Sequence, residues 1–309
     1  MQITSWENKR IIITGSSGFI GSRLSLYFRK RNATVLGLSR GNPPKEGATN
    51  VDVSNYTKFS AVVKKFKPDA VFHLASVAFV EVGQAKPYET FRNNILSTLS
   101  VLEACRMFRV PRIIIASTVH VYGHGPKPYN EDEPARPSRP YETSKTSGDL
   151  IAQSYADSYN LPVLIPRFVN IYGPGDTSSS RIIPKTIQAI MQNKEPTLWG
   201  GHVTRDYLYI DDALLAYDLL GKISDARMGK NRIFNFATGN LVTAKKLIEM
   251  IISLTGKQIT IKKITGVRTN ELEGQDVNWS KAMEIVGWRP ATDIRTGLAK
   301  TIEWFQARN

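Results

Sequence analysis

The segment that most constrains the fold of this chain is TGSSGFIG, residues 14–21. An apolar run precedes it, and apolar residues at helical spacing follow it, so a strand, a tight turn and a helix are predicted. Gly15 permits the tight turn, Gly18 lets the backbone approach a pyrophosphate, and Gly21 lets helix and strand pack closely. The helix N-terminus offers N–H groups to phosphates. A glycine triplet also occurs in merely structural turns, but this context favours a dinucleotide-binding loop.

The same strand–helix alternation continues through the first half of the chain. Further apolar runs predict strands, and the segments between them have helical periodicity. The predicted strands cover residues 34–39, 70–76, 112–118 and 162–168, and the helices cover 56–68, 93–108 and 143–160. This order predicts an α/β fold with a doubly wound parallel Rossmann sheet.

The pattern changes after Phe168, where turn residues become frequent and the elements become shorter. We therefore predict a Rossmann domain over 1–169 and a smaller C-terminal α/β region over 170–309, which would bind the substrate. The stretches 205–220 and 232–239 are interpreted as strand-like pieces. We expect residues 205–240 to rejoin the sheet.

The end of the second predicted strand bears on which dinucleotide is bound. An acidic residue there would bind the adenosine ribose of NAD, whereas an arginine accommodates the 2′-phosphate of NADP. This chain has Ser39 and Arg40 instead of a carboxylate, which favours NADP over NAD. A solvated loop arginine is the alternative. Asp52 is placed to meet the adenine amino group, or equally to serve as a turn or helix-capping carboxylate.

A second motif, YETSK, places Tyr141 and Lys145 four residues apart at the head of a helix. That spacing puts both side chains on one face. A nearby ammonium group is expected to lower the pKa of the tyrosine, so that it can exchange a proton with a hydroxyl near neutral pH. A surface pair of this spacing is the alternative. If the preceding strand continues past Ser117, Thr118 and His120 share a face, and Thr118 could orient the substrate hydroxyl.

Composition narrows the class of protein. The 41 basic and 27 acidic residues give a net charge of +14, which attracts anions such as phosphorylated small molecules. No basic run is interleaved with aromatic residues, so we predict no nucleic-acid partner. The single Cys105 fits a reducing compartment. The chain has no apolar signal core and no run of 18 apolar residues, which predicts a cytoplasmic protein without a membrane partner.

Together these motifs resemble one family, the extended short-chain dehydrogenase/reductases that act on nucleotide sugars, known as the NAD-dependent epimerase/dehydratase group. The resemblance covers essentially the whole chain, and it rests on TGSSGFIG, HLAS, STVHVYG, YETSK, PRFVNIYGPGD, GGHVTRDYLYIDD and VRTNELEGQDVNWSKAMEIVGWRP. It implies the catalytic trio Thr118, Tyr141 and Lys145. It also implies cofactor contacts from Gly15, Ser17, Gly18, Phe19, Ile20, Gly21, Ser39, Arg40, Asp52, Val53, Leu74, Ala75, Ser76, Asn94, Tyr141, Lys145 and Phe168.

The resemblance further implies a nucleotide-diphosphate sugar as substrate. Asn170 would contact the sugar nucleotide, and Arg205 and Arg268 would bind its diphosphate, which suits two guanidinium groups. For Arg205, ion pairing with Asp206 or Asp211 is the alternative. No metal ligand is nominated, and His73 is interpreted as a structural residue hydrogen-bonded under the sheet.

The chain departs from the family's 4,6-dehydratases at one place. Those enzymes resemble Thr-Asp-Glu where this chain has Thr118, Val119 and His120. Eliminating water needs an acid and a base, and Val119 can be neither, so a 4,6-dehydratase is the least favoured of the enzymatic hypotheses. The leading hypothesis is an NAD(P)-dependent epimerase that transiently oxidises the sugar at C4. An NADPH-dependent 4-keto-6-deoxy-sugar reductase is the alternative, and a cofactor-sensing module that meets nucleic acid is the non-enzymatic one.

Two smaller expectations complete the analysis. His120 is expected to touch the sugar, either in the chemistry or as part of the pocket lining. Family members are often dimers, so the resemblance implies a homodimer through the helices around 94–108 and 143–158.

Overall fold

The computed structural model of the protein describes residues 3–41, 48–125, 127–200, 203–264, 274 and 276–308. In these residues the strands are β1 (Arg10–Thr14), β2 (Thr34–Ser39), β3 (Ala48–Asn50), β4 (Ala70–His73), β5 (Ile113–Ile115), β6 (Ser117–Thr118), β7 (Val163–Phe168), β8 (Asn170–Tyr172), β9 (Thr197–Trp199), β10 (Thr204–Tyr209), β11 (Ile233–Phe236), β12 (Leu241–Thr243) and β13 (Lys262–Ile264).

The helices alternate with these strands. They are α1 (Phe19–Arg29), α2 (Tyr56–Phe66), α3 (Val80–Ala85), α4 (Pro87–Met107), α5 (Pro140–Tyr159), α6 (Ile182–Met191), α7 (Ile210–Lys222), α8 (Asp225–Met228), α9 (Ala244–Thr255) and α10 (Ile294–Gln306). A 3₁₀ turn covers Val119–Tyr122, and a π-helical turn covers Ala282–Val286. Within the described ranges, no helix combines the length and the apolar character needed to span a bilayer.

The central sheet is parallel, with the strand order β3-β2-β1-β4-β5-β7-β11, and β6 pairs with β7. The order reverses at β1, whose neighbours are β2 and β4. In sheets of this kind ligands bind outside the carboxyl ends of the strands at that reversal. The predicted doubly wound α/β fold is confirmed, and its binding crevice is expected beside β1 and β4.

Both faces of the sheet are covered by helices, so its central strands are buried throughout. Ile12 packs into one apolar cluster, whereas Ile11 and Ile13 pack into the other, as alternation along a strand requires. Trp6 and Phe28 lie in the cluster with Ile11 and Ile13. Burial on two faces explains why the strands read as continuous apolar runs rather than as alternating ones.

The C-terminal elements differ in part from the sequence expectation. Strand β10 does not join the main sheet; it pairs with β8 and β12 in a three-stranded sheet, while β11 does rejoin the main sheet beside β7. The predicted strand-like stretch 205–220 is wrong beyond Tyr209, where α7 begins. Ala213, Leu214, Tyr217 and Leu220 are buried on that helix, so its apolar residues follow a helical period. The division into 1–169 and 170–309 stays a prediction.

Candidate active site

A large cleft opens at the carboxyl ends of β1 and β4, where the strand order reverses. Its volume is about 2370 Å³, whereas pockets for one drug-sized ligand measure roughly 300–1,000 Å³. The cleft therefore has room for two large ligands side by side, such as a dinucleotide and a nucleotide-sized substrate.

The glycine loop forms one wall of this cleft, and its geometry fits a pyrophosphate. Gly15 adopts a φ of +71°, and a β-carbon there would lie 2.8 Å from the backbone nitrogen of Ala75. Gly18 is the N-cap of α1 and has no side chain to satisfy the first N–H groups of that helix. Ser16 Oγ is buried without a hydrogen-bond partner in the described part of the chain. The loop therefore offers donors and space for the phosphates of a dinucleotide.

Most of the predicted cofactor residues line the cleft together. They are Gly15, Ser17, Gly18, Phe19, Ile20, Gly21, Ser39, Arg40, Asp52, Val53, Leu74, Ala75, Ser76, Tyr141, Lys145 and Phe168. Their clustering supports the assignment, while the individual contacts stay predictions.

The end of the cleft beside β2 holds Arg40 and Asp52. Arg40 Nη1 donates a hydrogen bond to Asn93 Oδ1 over 2.9 Å. Asp52 Oδ1 accepts from the backbone N–H and the hydroxyl of Ser54, over 3.0 and 2.7 Å. Burial opposes ionisation of Asp52, but the bonds from Ser54 and the charge of Arg40 outweigh it and hold the pKa below its usual range. Asp52 therefore stabilises a turn while it lines the cleft.

Asn94 differs from its prediction, because it does not line this cleft. Its side chain is buried and accepts from Val77 N over 2.7 Å, and it donates to Val77 O and Ser144 Oγ. Its neighbour Asn93 and Ser97, one helical turn further on, line the cleft instead. Asn94 thus ties the segment after β4 to α4 and α5, and its contact with the cofactor stays a prediction.

The predicted trio converges on the cleft from two elements. Thr118 ends β6, whereas Tyr141 and Lys145 lie in the first turns of α5, which begins at Pro140, a residue whose fixed φ suits the first helical position. Lys145 Nζ donates a hydrogen bond to the carbonyl oxygen of Ala116 over 2.5 Å. Burial lowers the pKa of Lys145 to about 8.

The pKa of Tyr141 is not lowered as expected. Burial raises the pKa of Tyr141 to about 12, and the cation that opposes this rise is Arg181, while Glu142 adds to it. The predicted lowering of the Tyr141 pKa by Lys145 is therefore wrong, because desolvation outweighs the nearby charges. Arg181 was missed by the motif analysis, since it belongs to a separate loop before α6.

The chain turns sharply after Thr118. The strand does not continue; residues 119–122 form a 3₁₀ turn, in which Thr118 Oγ1 accepts from His120 N over 3.3 Å. Thr118 and His120 therefore do not share a face of one strand, as was expected. Both nevertheless line the cleft. Val119 is buried at 3% exposure in the core and does not line the cleft.

His120 faces a partner that sequence reasoning missed. Its Nδ1 lies 3.6 Å from Glu142 Oε1, and the Glu142 side chain is fully buried. Glu142 follows Tyr141 directly in the chain, but nothing in the motif indicates which way it points. The turn at 119–122 decides this contact, and that turn has no strong signature in the sequence.

The predicted substrate residues lie further along the cleft. Asn170 and Arg205 line it; Asn170 Nδ2 donates to Asp206 O over 3.1 Å, and Arg205 Nη1 donates to Thr204 O over 3.0 Å. The carboxylate of Asp206 accepts from Thr238 and Gly239. Arg268 lies outside the described residues.

His73 is structural, as predicted. Its Nδ1 lies 2.8 Å from Thr14 Oγ1 and its Nε2 lies 3.3 Å from Thr98 Oγ1, and burial lowers its pKa to about 3. It therefore joins β4 to β1 and α4 as a neutral ring.

Comparison with known proteins agrees with the fold and the cleft described above. The sequence model of the NAD dependent epimerase/dehydratase family matches residues 11–237, well over half of the chain. The chain belongs to this family. The predicted resemblance is thereby confirmed, and with it a family of enzymes that use nicotinamide cofactors on nucleotide sugars.

Individual relatives of this family member include both reaction types. A dTDP-D-glucose 4,6-dehydratase of Dictyostelium discoideum is 33% identical over 273 residues, which cover 79% of this chain and 62% of the relative's own length. A UDP-glucuronate 4-epimerase of Thermodesulfobacterium geofontis is 27% identical over 313 residues, 95% of each chain. The structure of a Thermus thermophilus UDP-glucose 4-epimerase in complex with NAD matches with a TM-score of 0.87 at 27% identity, over 97% of this chain and 100% of that one.

Proposed function

We propose that this protein is a nicotinamide-dependent 4-epimerase of a nucleoside-diphosphate sugar. The observation that carries the proposal is the convergence of Thr118, Tyr141 and Lys145 on the cleft that also contains the glycine loop. The volume of that cleft suits a dinucleotide and a sugar nucleotide together. Relatives that align over nearly the whole chain include 4-epimerases and 4,6-dehydratases, so the choice between these reactions rests on the site residues.

The proposed chemistry assigns one task to each side chain. When bound, the nicotinamide supplies the acceptor and the donor of the hydride at sugar C4. Tyr141 takes the proton of the C4 hydroxyl and later returns it, and Thr118 orients that hydroxyl. Lys145, which lines the same cleft, would bind the ribose of the nicotinamide. Inversion at C4 would require the cleft to let the sugar turn over between oxidation and reduction.

Val119 supports an epimerase over a dehydratase. Elimination of water needs an acid for the leaving hydroxyl as well as a base. Where the family's dehydratases resemble Thr-Asp-Glu, this chain has Val119 in place of the acidic residue, and its apolar side chain is packed in the core. The chain therefore lacks the acid at the place where the dehydratase resemblance requires it.

A reductase of 4-keto-6-deoxy nucleotide sugars is the second candidate, and Arg40 favours it. A reductase must bind and exchange NADPH, and Arg40 lines the cleft beside β2, where an arginine suits the 2′-phosphate. We accordingly propose NADP as the preferred cofactor of either enzyme. Location in the cytoplasm and the absence of a nucleic-acid partner stay predictions.

One experiment separates these activities. The purified protein is incubated with UDP-, GDP-, CDP- and dTDP-sugars, with and without NADPH, while product mass and nicotinamide absorbance are followed. An isomer of unchanged mass without net absorbance change supports the epimerase, stoichiometric NADPH loss with a keto sugar supports the reductase, and loss of water supports the dehydratase. Tyr141→Phe should abolish turnover, whereas the exposed Tyr159→Phe, on the same helix, should not.

A further inference from the structure

A buried ion pair lies behind the proposed trio. Asp149, one helical turn beyond Lys145 on α5, accepts from Arg167 of β7 at both carboxylate oxygens, from Nε over 2.9 Å and from Nη2 over 3.0 Å. Only 1% of the Asp149 side chain and 4% of the Arg167 side chain are exposed. Apolar residues of the same volume are often at least as stable as a buried ion pair. Stability alone therefore does not explain why charges occupy this position.

Asp149 and Lys145 attach α5 to two successive residues of the segment that leads to Thr118. Lys145 Nζ donates to the carbonyl oxygen of Ala116 over 2.5 Å, and the Ser117 hydroxyl donates to Asp149 Oδ2 over 2.6 Å. Thr118 follows directly and ends β6. The helix of the proposed tyrosine and lysine is thus bonded to the segment of the proposed threonine at the two residues that precede it.

Arg167 extends these bonds to the other side of Thr118. It lies opposite Ser117 in the register of β6 and β7, and its Nη1 donates to the hydroxyl of Tyr122 over 2.9 Å. Tyr122 ends the 3₁₀ turn that follows Thr118. Residues before and after Thr118 are therefore hydrogen-bonded to one ion pair, whose two charged groups are fixed by a two-point contact.

Asp149 also affects the charge of Lys145. Burial lowers the pKa of Lys145, and the negative charge of Asp149 opposes that fall. His73, which faces the lysine from β4, is neutral, and Tyr141, one turn earlier on α5, keeps its proton because burial raises its pKa to about 12. Neither group replaces the charge of Asp149. Without that charge the Arg167 cation would lack its counter-charge, which disfavours a second cation nearby.

We propose that Asp149, paired with Arg167, is a positioning residue that fixes Thr118 and Lys145 relative to each other in the proposed active site. Neither Asp149 nor Arg167 lines the large cleft, so both act through their neighbours and take no part in making or breaking bonds. The inference rests on the proposed function for the tasks of Thr118 and Lys145. It deepens that function by assigning what holds the two residues in place.

Ser117→Ala tests the bond to the strand, because it removes the hydroxyl and keeps the ion pair. We expect kcat to fall by about 10-fold or more, because small displacements of a reacting group cost rate steeply. Exchange of the backbone amide hydrogens at 117–122, followed by mass spectrometry, should accelerate. Ser147→Ala is the matched control, because its hydroxyl donates to the carbonyl oxygen of Thr143 within α5 and does not line the cleft. It should change neither quantity.

Asp149→Asn tests the effect on Lys145 without any turnover. Protein labelled with carbon-13 at the lysine Cε atoms is titrated through neutral and alkaline pH and followed by NMR, and the Lys145 signal is the one that Lys145→Met removes. The wild-type midpoint should lie at about pH 8, and the midpoint of Asp149→Asn should be about one pH unit lower. Asp218→Asn is the control, because Asp218 is a largely buried carboxylate paired with Lys222 on α7. It should lose stability and leave the Lys145 midpoint unchanged.

The outcomes separate the role of Asp149 from the function on which it rests. Ser117→Ala with wild-type kcat or amide exchange, or a folded Asp149→Asn with an unchanged Lys145 midpoint, overturns the proposal even where epimerisation is intact. If Asp149→Asn does not fold, Ser117→Ala still tests the inference, because it keeps the ion pair. If no sugar nucleotide is converted, the epimerase assignment fails, while accelerated amide exchange and a lowered midpoint still support Asp149 as the residue that holds this part of the protein.

Discussion

Gly83 of α3 lies against the backbone of Tyr141 so closely that a β-carbon on the glycine would stand 3.0 Å from Tyr141 Cβ and 3.1 Å from its nitrogen. The absence of a side chain on Gly83 therefore lets α3 pack closely against the first turn of α5. We expect Gly83→Ala to shift Tyr141 and to lower kcat by about 10-fold or more, because small displacements of a reacting group cost rate steeply.

Gly148→Ala is the control for that prediction. Gly148 lies on the same helix as Tyr141 but away from it, and a β-carbon added there would stand 3.1 Å from Thr98 Oγ1. Both variants should lose thermal stability, measured by calorimetry. Only Gly83→Ala should lose more turnover than its loss of stability explains. Equal kcat values in the two variants would contradict the positioning of Tyr141 by Gly83.

Lys145 leads to a prediction about stability and pH. Burial lowers the pKa of Lys145 to about 8 in the folded protein, from the ordinary lysine value of 10.5. Between those values the unfolded chain binds more protons than the folded one, so the wild type gains stability as the pH rises through that window. At pH 7 the cost of burying the charged lysine is fully present, and at pH 10.5 it is mostly gone.

We therefore expect Lys145→Met to be more stable than the wild type near pH 7, while turnover is lost. The difference in Tm between the two proteins should shrink from pH 8 to pH 10.5. Lys64→Met, at an exposed lysine, should show a difference that does not vary over this window. A Lys145→Met advantage that grows with pH would mean that the lysine is not buried as a cation.

Arg40 determines the expected choice of cofactor. Hydrogen bonds to charged groups contribute about 1.5–3 kcal/mol, so Arg40→Ala should weaken NADP binding by about 10- to 100-fold while affecting NAD little. Fluorescence titration with both dinucleotides measures this ratio. Lys58→Ala removes a charge from the exposed face of α2 and should leave the ratio unchanged. Equal loss for NAD and NADP would remove the basis for the NADP preference.

The homodimer expected from the family has a candidate surface. Leu96 and Leu99 of α4 are 40% and 39% exposed, and Leu150 of α5 is 54% exposed, on two helices that pack together. We expect light scattering to give a dimer for the wild type and a monomer for Leu150→Glu. Leu241→Glu, at an exposed leucine of β12, should stay dimeric. A monomeric wild type would refute the dimer.

The parts of the fold that follow from local patterns could be predicted. The strands and helices around the glycine loop have clear periodicity, and Gly15, Tyr141 and Lys145 meet in the cleft because the parallel sheet brings the ends of its strands to one edge. A strand was predicted where α7 lies because the apolar residues of DYLYIDDALLAY fit the two-residue period of a strand as well as the period of a helix. Tertiary packing decides between the two.

The parts of the site that depend on tertiary contacts could not be predicted. Val119 is buried in the turn that follows Thr118, and the side chain of Asn94 is bonded to the backbone of Val77. Glu142 acquires its histidine from the same turn. Motif spacing specifies which residues are near each other along an element, but not which direction a loop turns.

The most direct test of the epimerase assignment follows a deuterium label at sugar C4. A sugar nucleotide labelled with deuterium at C4 is converted by the protein with catalytic NADP or NAD, and the product is examined by NMR. The proposed reaction predicts a product inverted at C4 that retains the label on C4, since the hydride leaves and returns within one active site. An inverted product without the label, or a label found in stoichiometric amounts on released cofactor, would contradict it.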